Sequence, residues 1–130
     1  MPDLYGWVFE RIEEREAAAR NHQQPCGEWE YDWLVKEVRD LGNAGTVASV
    51  PRLGTGEFIA LNDPESVLRR CAADRKLLER HRPQQDGSPF PDSMQCRTCS
   101  EDGGDGYQYL VPAPCPTLRD LAEGYGWTGE

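Results

Sequence analysis

Leu4, Val8, Ile12 and Ala19, with Tyr5 and Phe9 beside them, recur at helical spacing through a segment otherwise rich in glutamate and arginine. This pattern predicts an amphipathic helix opened by Pro2 and Asp3. Gly6 weakens its first turn by about 1 kcal/mol relative to alanine, and Glu16 and Arg20 stand i,i+4 in the favourable order. Residues 21–27 read as a loop. From Trp29 the period changes to two: Trp29, Tyr31, Trp33 and Val35 alternate with Glu30, Asp32, Leu34 and Lys36. That alternation predicts a strand with aromatics on one face, a helix over 36–41 being the alternative for its end. After the Gly42-Asn43-Ala44-Gly45 turn, residues 46–50 read as a second strand, and residues 57–61 as a third beyond a loop at 51–56. The three make a small antiparallel meander.

Asp63-Pro64-Glu65 is a strong helix opening, since Asp63 can cap, Pro64 loses no needed hydrogen bond at the first helical position, and Glu65 complements the dipole. The helix should run to Arg82 and stop before Pro83. Val67, Cys71, Asp74, Leu78 and His81 step along one side with Leu68 and Leu77 flanking, which places His81 in the last turn beside the apolar stripe. Residues 83–95 and 100–106 read as turn-rich loops. Residues 107–111 alternate like a short strand, and Pro112, Pro114 and Pro116 stiffen the chain around Cys115. A capping-box-like Thr117-Leu118-Arg119-Asp120 opens a last short helix that Gly124 ends.

Composition narrows the picture. A chain of 130 residues with 38% apolar content suits one domain, 1–130, with a helix-sheet-helix portion at 1–82 and a loop-rich segment at 83–130, around a modest core that gains from extra fastening. The net charge of −9 is uneven: residues 1–40 carry 5 basic against 10 acidic groups, 41–82 carry 7 against 5, and 83–130 carry 2 against 8. Such a surface repels phosphate backbones, so free nucleic acid is a poor partner. No basic-then-apolar leader and no membrane-length apolar run is present, which suits a cytoplasmic protein.

Five cysteines in a reducing compartment favour metal binding and buried thiols over a disulfide framework. The chemistry concentrates in the Cys96-Arg97-Thr98-Cys99 knuckle, joined by Cys115 and by His81 at a helix end. Together they are the donor set of one tetrahedral structural zinc. Free thiols in a loop and an incidental disulfide are the plainer readings of the cysteines. A redox reading of C-x-x-C requires a strand leading in and a helix leading out, whereas Pro91, Gly103 and Gly104 flank this one. For the fourth ligand His81 leads, with His22, Cys26 or a water as alternatives. Three thiolates would leave the site at net −1, which Arg97 or backbone amides of the knuckle could offset. Cys71 reads as core. Trp29, Tyr31 and Trp33 read as core aromatics with base or peptide stacking as the alternative. Arg69, Arg70, Arg75, Lys76, Arg80 and Arg82 form a basic strip, most simply a solvated helix face and otherwise a patch for an acidic partner.

Three segments resemble a family of uncharacterised small proteins from actinobacteria and their phages, a domain of unknown function. They are Asn62-Asp63-Pro64-Glu65-Ser66-Val67-Leu68-Arg69-Arg70 running on to Lys76 and His81, the Cys96-x-x-Cys99 knuckle, and Pro114-Cys115-Pro116-Thr117-Leu118-Arg119. The resemblance implies that His81, Cys96, Cys99 and Cys115 act as a unit, and it implies no activity. The ending Ala122-Glu123-Gly124-Tyr125-Gly126-Trp127 is shorter than the tail of that family.

Enzyme signatures are missing: no His-Glu-x-x-His, no phosphate loop, no dinucleotide glycine pattern, and no zinc-deaminase pairing of His-x-Glu with Pro-Cys-x-x-Cys. The sequence therefore reads as an α+β domain, two main helices on a small antiparallel sheet with a zinc-stapled C-terminal segment. Its expected role is a non-catalytic zinc-binding accessory or interaction protein with an unidentified protein partner. The rivals are an acidic, nucleic-acid-mimicking inhibitor of a host enzyme and a zinc-knuckle nucleic-acid-binding protein.

Overall fold

The computed structural model describes residues 3–21, 27–42, 45–85, 94–102, 108–109 and 111–129. Pro2, His22, Cys26, the centre of the 42–45 turn, Pro91, Gly103, Gly104, Tyr107 and Leu110 lie outside them. The fold is α+β: in chain order α1 (Leu4–Arg20), β1 (Trp29–Asp32), β2 (Glu37–Asp40), β3 (Thr46–Ser49), α2 (Leu53–Leu61), α3 (Pro64–Arg80), β4 (Pro83–Gln85), β5 (Met94–Cys96), β6 (Glu101–Asp102), β7 (Gln108–Tyr109) and α4 (Pro116–Gly124). It divides into two compact units, one of Met1–Glu13 with Ala73–Glu130, the other Glu14–Ala72.

In the 14–72 unit, β1, β2 and β3 form an antiparallel meander, with Trp29 opposite Asp40, Tyr31 opposite Val38, and Val38 opposite Ala48. The expected aromatic strand ends at Asp32, and Trp33 to Lys36 form the turn into β2. Trp33 and Leu34 are 68% and 73% exposed, so Trp33 is not a core aromatic. Asp32 Oδ1 accepts the Leu34 amide at 3.0 Å, and Lys36 takes the left-handed conformation that lets the chain reverse. The alternative of a helix over 36–41 is not what forms there. Glu37–Asp40 is a strand whose inward positions are Val38 and a buried Asp40, whose Oδ1 accepts the Gly27 and Gly42 amides at 2.9 and 2.8 Å.

The expected third strand at 57–61 is instead part of helix α2. Gly56, Ile59 and Ala60 fall at helical spacing, and the small Gly56 and Ala60 let this helix approach the sheet closely. Val38, Val50 and Ala60 are buried together, with Trp29, Tyr31, Val47, Ala48 and Ile59 packed against them. Burial of the sheet's apolar face outweighs the weak helix propensity of Gly54 and Gly56. A Cβ at Gly56 would land within the Tyr31 ring, whose hydroxyl donates to the Val50 carbonyl at 2.6 Å. The face of α2 with Leu53, Phe58 and Leu61 is exposed.

Asp63 caps α3 as the sequence implies, accepting the Ser66 amide at 2.7 Å, and its second oxygen accepts the Trp29 amide at 3.2 Å. The helix ends at Arg80, two residues short of the expectation. Along its stripe Cys71 and Leu78 are buried, and Val67, Asp74 and His81 are half-buried. In the other unit, Val8, Ile12, Leu78, Leu118 and Ala122 are buried with Cys96 and Cys115. There Tyr5 bonds Glu79, Arg75 pairs with Glu13 and lies over Phe9, and Tyr125 donates to Asp74. Helix α4 starts two residues earlier than its capping-box pattern suggested, with Cys115 at the N-cap and Pro116 at the first position. It ends at Gly124 as expected, in a Schellman motif. Trp127 N–H bonds Ala122 O, Gly126 N–H bonds Glu123 O, and Gly126 supplies φ +101°. Trp127 then meets Trp7 edge-on, with centroids 5.1 Å apart. Among the described residues no helix is long and apolar enough to cross a membrane.

Candidate metal centre

The segments expected as loops around the knuckle contain paired strands. β4 and β5 are antiparallel, with Pro83 opposite Cys96, so the end of α3 runs directly into a ribbon that carries the first cysteine. On the other side of β5 the chain near Pro112 pairs back: Cys96 N–H bonds Val111 O at 2.8 Å, and Ala113 N–H bonds Met94 O at 3.0 Å. This pairing brings Cys115 to Cys96, and α4 begins at once beyond it. Three sequence-distant pieces therefore converge because backbone ladders hold them.

The knuckle also finishes α3. Thr98 Oγ1 donates to the Arg80 carbonyl and Arg97 N–H to the Arg82 carbonyl, so turn residues satisfy carbonyls that a helix end leaves open. The spacing of the cysteines did not disclose this capping role, although a Thr two residues after the first cysteine is its signal. His81 N–H still bonds Leu77 O at 3.1 Å, which fixes the imidazole's backbone in a helical position.

At the centre, the sulfurs of Cys96, Cys99 and Cys115 each lie 3.4 Å from His81 Nδ1, and the four donor atoms lie within 4.8 Å of one another. Tetrahedral zinc with bonds of about 2.3 Å to sulfur and about 2.0 Å to nitrogen separates neighbouring nitrogen and sulfur by roughly 3.5 Å. The four side chains thus stand at the spacing of such a shell and could hold a metal ion. Cys96 and Cys115 are fully buried, and Cys99 and His81 partly so. Among the described residues this is the cluster of metal-binding type that the fold assembles.

Its electrostatics suit a cation. Burial alone would raise Cys96, but the Cys99 amide, the His81 ring and the Thr98 amide favour its thiolate and bring it down to about 7. Burial, hydrogen bonding to Cys96 and Cys115, and the charge of those sulfurs push Cys99 up to about 12. Three negative sulfurs in one pocket repel one another unless a positive ion joins them. The Cys99 amide reaches Cys96 Sγ at 3.4 Å, as expected of knuckle amides, whereas Arg97 turns to Glu79 at 3.6 Å. Cys115 stands at the N-cap of α4.

The alternative ligands His22 and Cys26 are not described, and Cys71 is a buried thiol outside the cluster. The basic strip is largely engaged within the molecule: Arg69 pairs with Glu65, Arg75 with Glu13, and Arg82 with Glu79 while lying over Tyr5.

The fold and the cluster define a small α+β protein with a His/Cys3 centre able to take a metal. The chain belongs to DUF6221, a family of unknown function, whose model matches residues 1–126. No curated protein and no solved structure matches it.

Proposed function

We propose that this protein is a non-catalytic accessory or interaction protein whose structural zinc is held by His81, Cys96, Cys99 and Cys115. The observation that carries the reading is the equal 3.4 Å approach of three sulfurs to one imidazole nitrogen. Four protein donors fill a tetrahedral shell, which favours a structural over a catalytic metal, since a catalytic zinc keeps a position for water or substrate. The zinc would tie the end of α3, the knuckle and the start of α4 together. Cys71, Cys96, Cys99 and Cys115 are thiols, which fits a reducing cytoplasm, and the order of motifs supports an actinobacterial or actinophage setting. The acidic balance argues against free double-stranded DNA as partner, which a gel shift at physiological salt checks.

Native mass spectrometry before and after a strong chelator tests the centre: one zinc per chain is expected, lost on chelation. His81→Ala should weaken zinc retention, and loss of Cys96 or Cys115 should abolish it. A metal-free chain with undisturbed amide exchange over 94–123 would overturn the reading. A zinc-bound exchangeable water would overturn its non-catalytic part.

A further inference from the structure

The face of the β1–β2–β3 sheet turned away from α2 carries polar side chains by alternation. Glu30 and Asp32 stand there on β1, and Glu37 and Arg39 on β2, with Glu30 directly opposite Arg39 and Asp32 opposite Glu37. At one end of this face a cavity of about 460 Å³ is lined by Glu30, Asp32, Trp33, Arg39 and Leu41, with Tyr31 and Asp40 completing it. Trp33 and Leu41 are 68% and 56% exposed at its rim. An indole and a leucine left in water next to two carboxylates stabilise nothing inside the unit, since its apolar cluster lies on the opposite face of the sheet.

The chemistry of the lining selects an occupant. Tryptophan is the strongest aromatic partner for a cation, and a guanidinium can stack on its face while its N–H groups reach carboxylates. Glu30 and Asp32 supply those carboxylates. Asp32 Oδ1 is already engaged by the Leu34 amide, which orients the group and leaves its other oxygen available. Arg39 offsets one of the negative charges and leaves the lining net negative. The walls are held: Tyr31 is anchored through Val50, and the hairpin tip by the Val50 N–H to Lys36 O bond of 2.8 Å.

We propose that this cavity binds an arginine-bearing, basic segment of a partner protein, with the guanidinium between the Trp33 indole and the Glu30 and Asp32 carboxylates. The site goes beyond the metal centre, uses none of its residues and lies in the 14–72 unit. It names the chemistry of a partner without depending on the zinc reading.

The test is a titration of isotope-labelled full-length protein with a blocked Gly-Arg-Gly-Arg-Gly peptide and its glutamate counterpart, followed by amide and indole NMR shifts. The arginine peptide should shift residues 30–33 and 39–41 and the Trp33 indole, while zinc content stays unchanged. Trp33→Ala should weaken binding about fivefold, as expected for loss of one cation–π contact. Glu30→Gln alone, and together with Asp32→Asn, should weaken it further. Asp120→Asn with Glu123→Gln removes as much charge from α4 and should leave binding within about twofold. Equal losses from both double variants would reduce the effect to diffuse attraction and overturn the site. Preference for the glutamate peptide would overturn it in favour of Arg39 as anchor, and shifts spread over the molecule, or none, would also reject it.

Discussion

The two units differ in what holds their elements together. Residues 14–72 bring α2 against a three-stranded sheet, with a glycine set against a tyrosine ring and an apolar cluster of Val38, Val50 and Ala60. In the other unit the strands are two or three residues long, and two of the buried side chains are cysteines that meet a histidine. One unit is fastened by shape and hydrocarbon, while the other adds to its hydrocarbon core of Val8, Ile12, Leu78, Leu118 and Ala122 a cluster of donor atoms that repel one another when ionised. A region whose short strands meet at a polar cluster can be fixed there, but part of its stability then depends on what that cluster holds.

The sharpest way to break this contrast is metal removal. If zinc fills the His/Cys3 centre, chelation should lower the melting temperature by on the order of 10 °C or more, because the metal closes long loops and its binding energy counts toward folding. Hydrogen exchange should then accelerate first at residues 94–102 and 111–123, while 29–32, 37–40 and 46–49 keep their protection. Simultaneous loss everywhere would show that the difference between the units does not extend to their stability.

Next come two substitutions, one in each unit. Ile12 is completely buried, and Ile12→Ala should cost about 2–5 kcal/mol in a denaturant titration. An unchanged midpoint would mean that the α1 stripe is not part of the stabilising core. Gly56→Ala adds one methyl where only the Tyr31 ring has room, and should cost about 1–3 kcal/mol through overpacking. Zinc content should be unaffected by Gly56→Ala. A neutral result would show that α2 can move away from the sheet without loss.

What the chain disclosed beforehand follows the same division. Local chemistry was legible: the Asp63 cap, the Glu16–Arg20 pair at 3.7 Å, the buried Cys71 and the four convergent donors all rest on residue types whose preferences act over a few positions. The α+β class followed from the same signals. The sheet's details did not. The period-two run continues past Asp32 in the sequence, but the chain reverses there because Asp32 can start an Asx turn and Lys36 accepts a left-handed backbone. β2 carries one apolar residue, and its strand state rests on pairing with both neighbours and on amides that bond Asp40 Oδ1. Residues 57–61 look like a strand by composition, and only the presence of a sheet needing cover makes them helical. The ladder that delivers Cys115 was equally hidden, since it joins Cys96 to Val111 across fifteen residues of turn-rich sequence.

The smallest effect concerns that same turn, and its sign is opposite. Lys36 has φ 57°, in a region where an L-residue pays about 1–2 kcal/mol for crowding between its Cβ and the backbone. Glycine removes that crowding but loses about 0.5–1 kcal/mol more conformational entropy on folding. The balance favours glycine by a few tenths to about 1 kcal/mol. Lys36 contributes its carbonyl, which accepts the Val50 amide at 2.8 Å, and glycine keeps that carbonyl. Lys36→Gly should therefore raise the denaturant midpoint slightly while zinc content stays the same. A loss of stability would mean that the lysine side chain, exposed as it is, makes a contact worth more than the backbone strain. The comparison between a shape-fastened and a donor-fastened unit would then need a surface electrostatic term in the first.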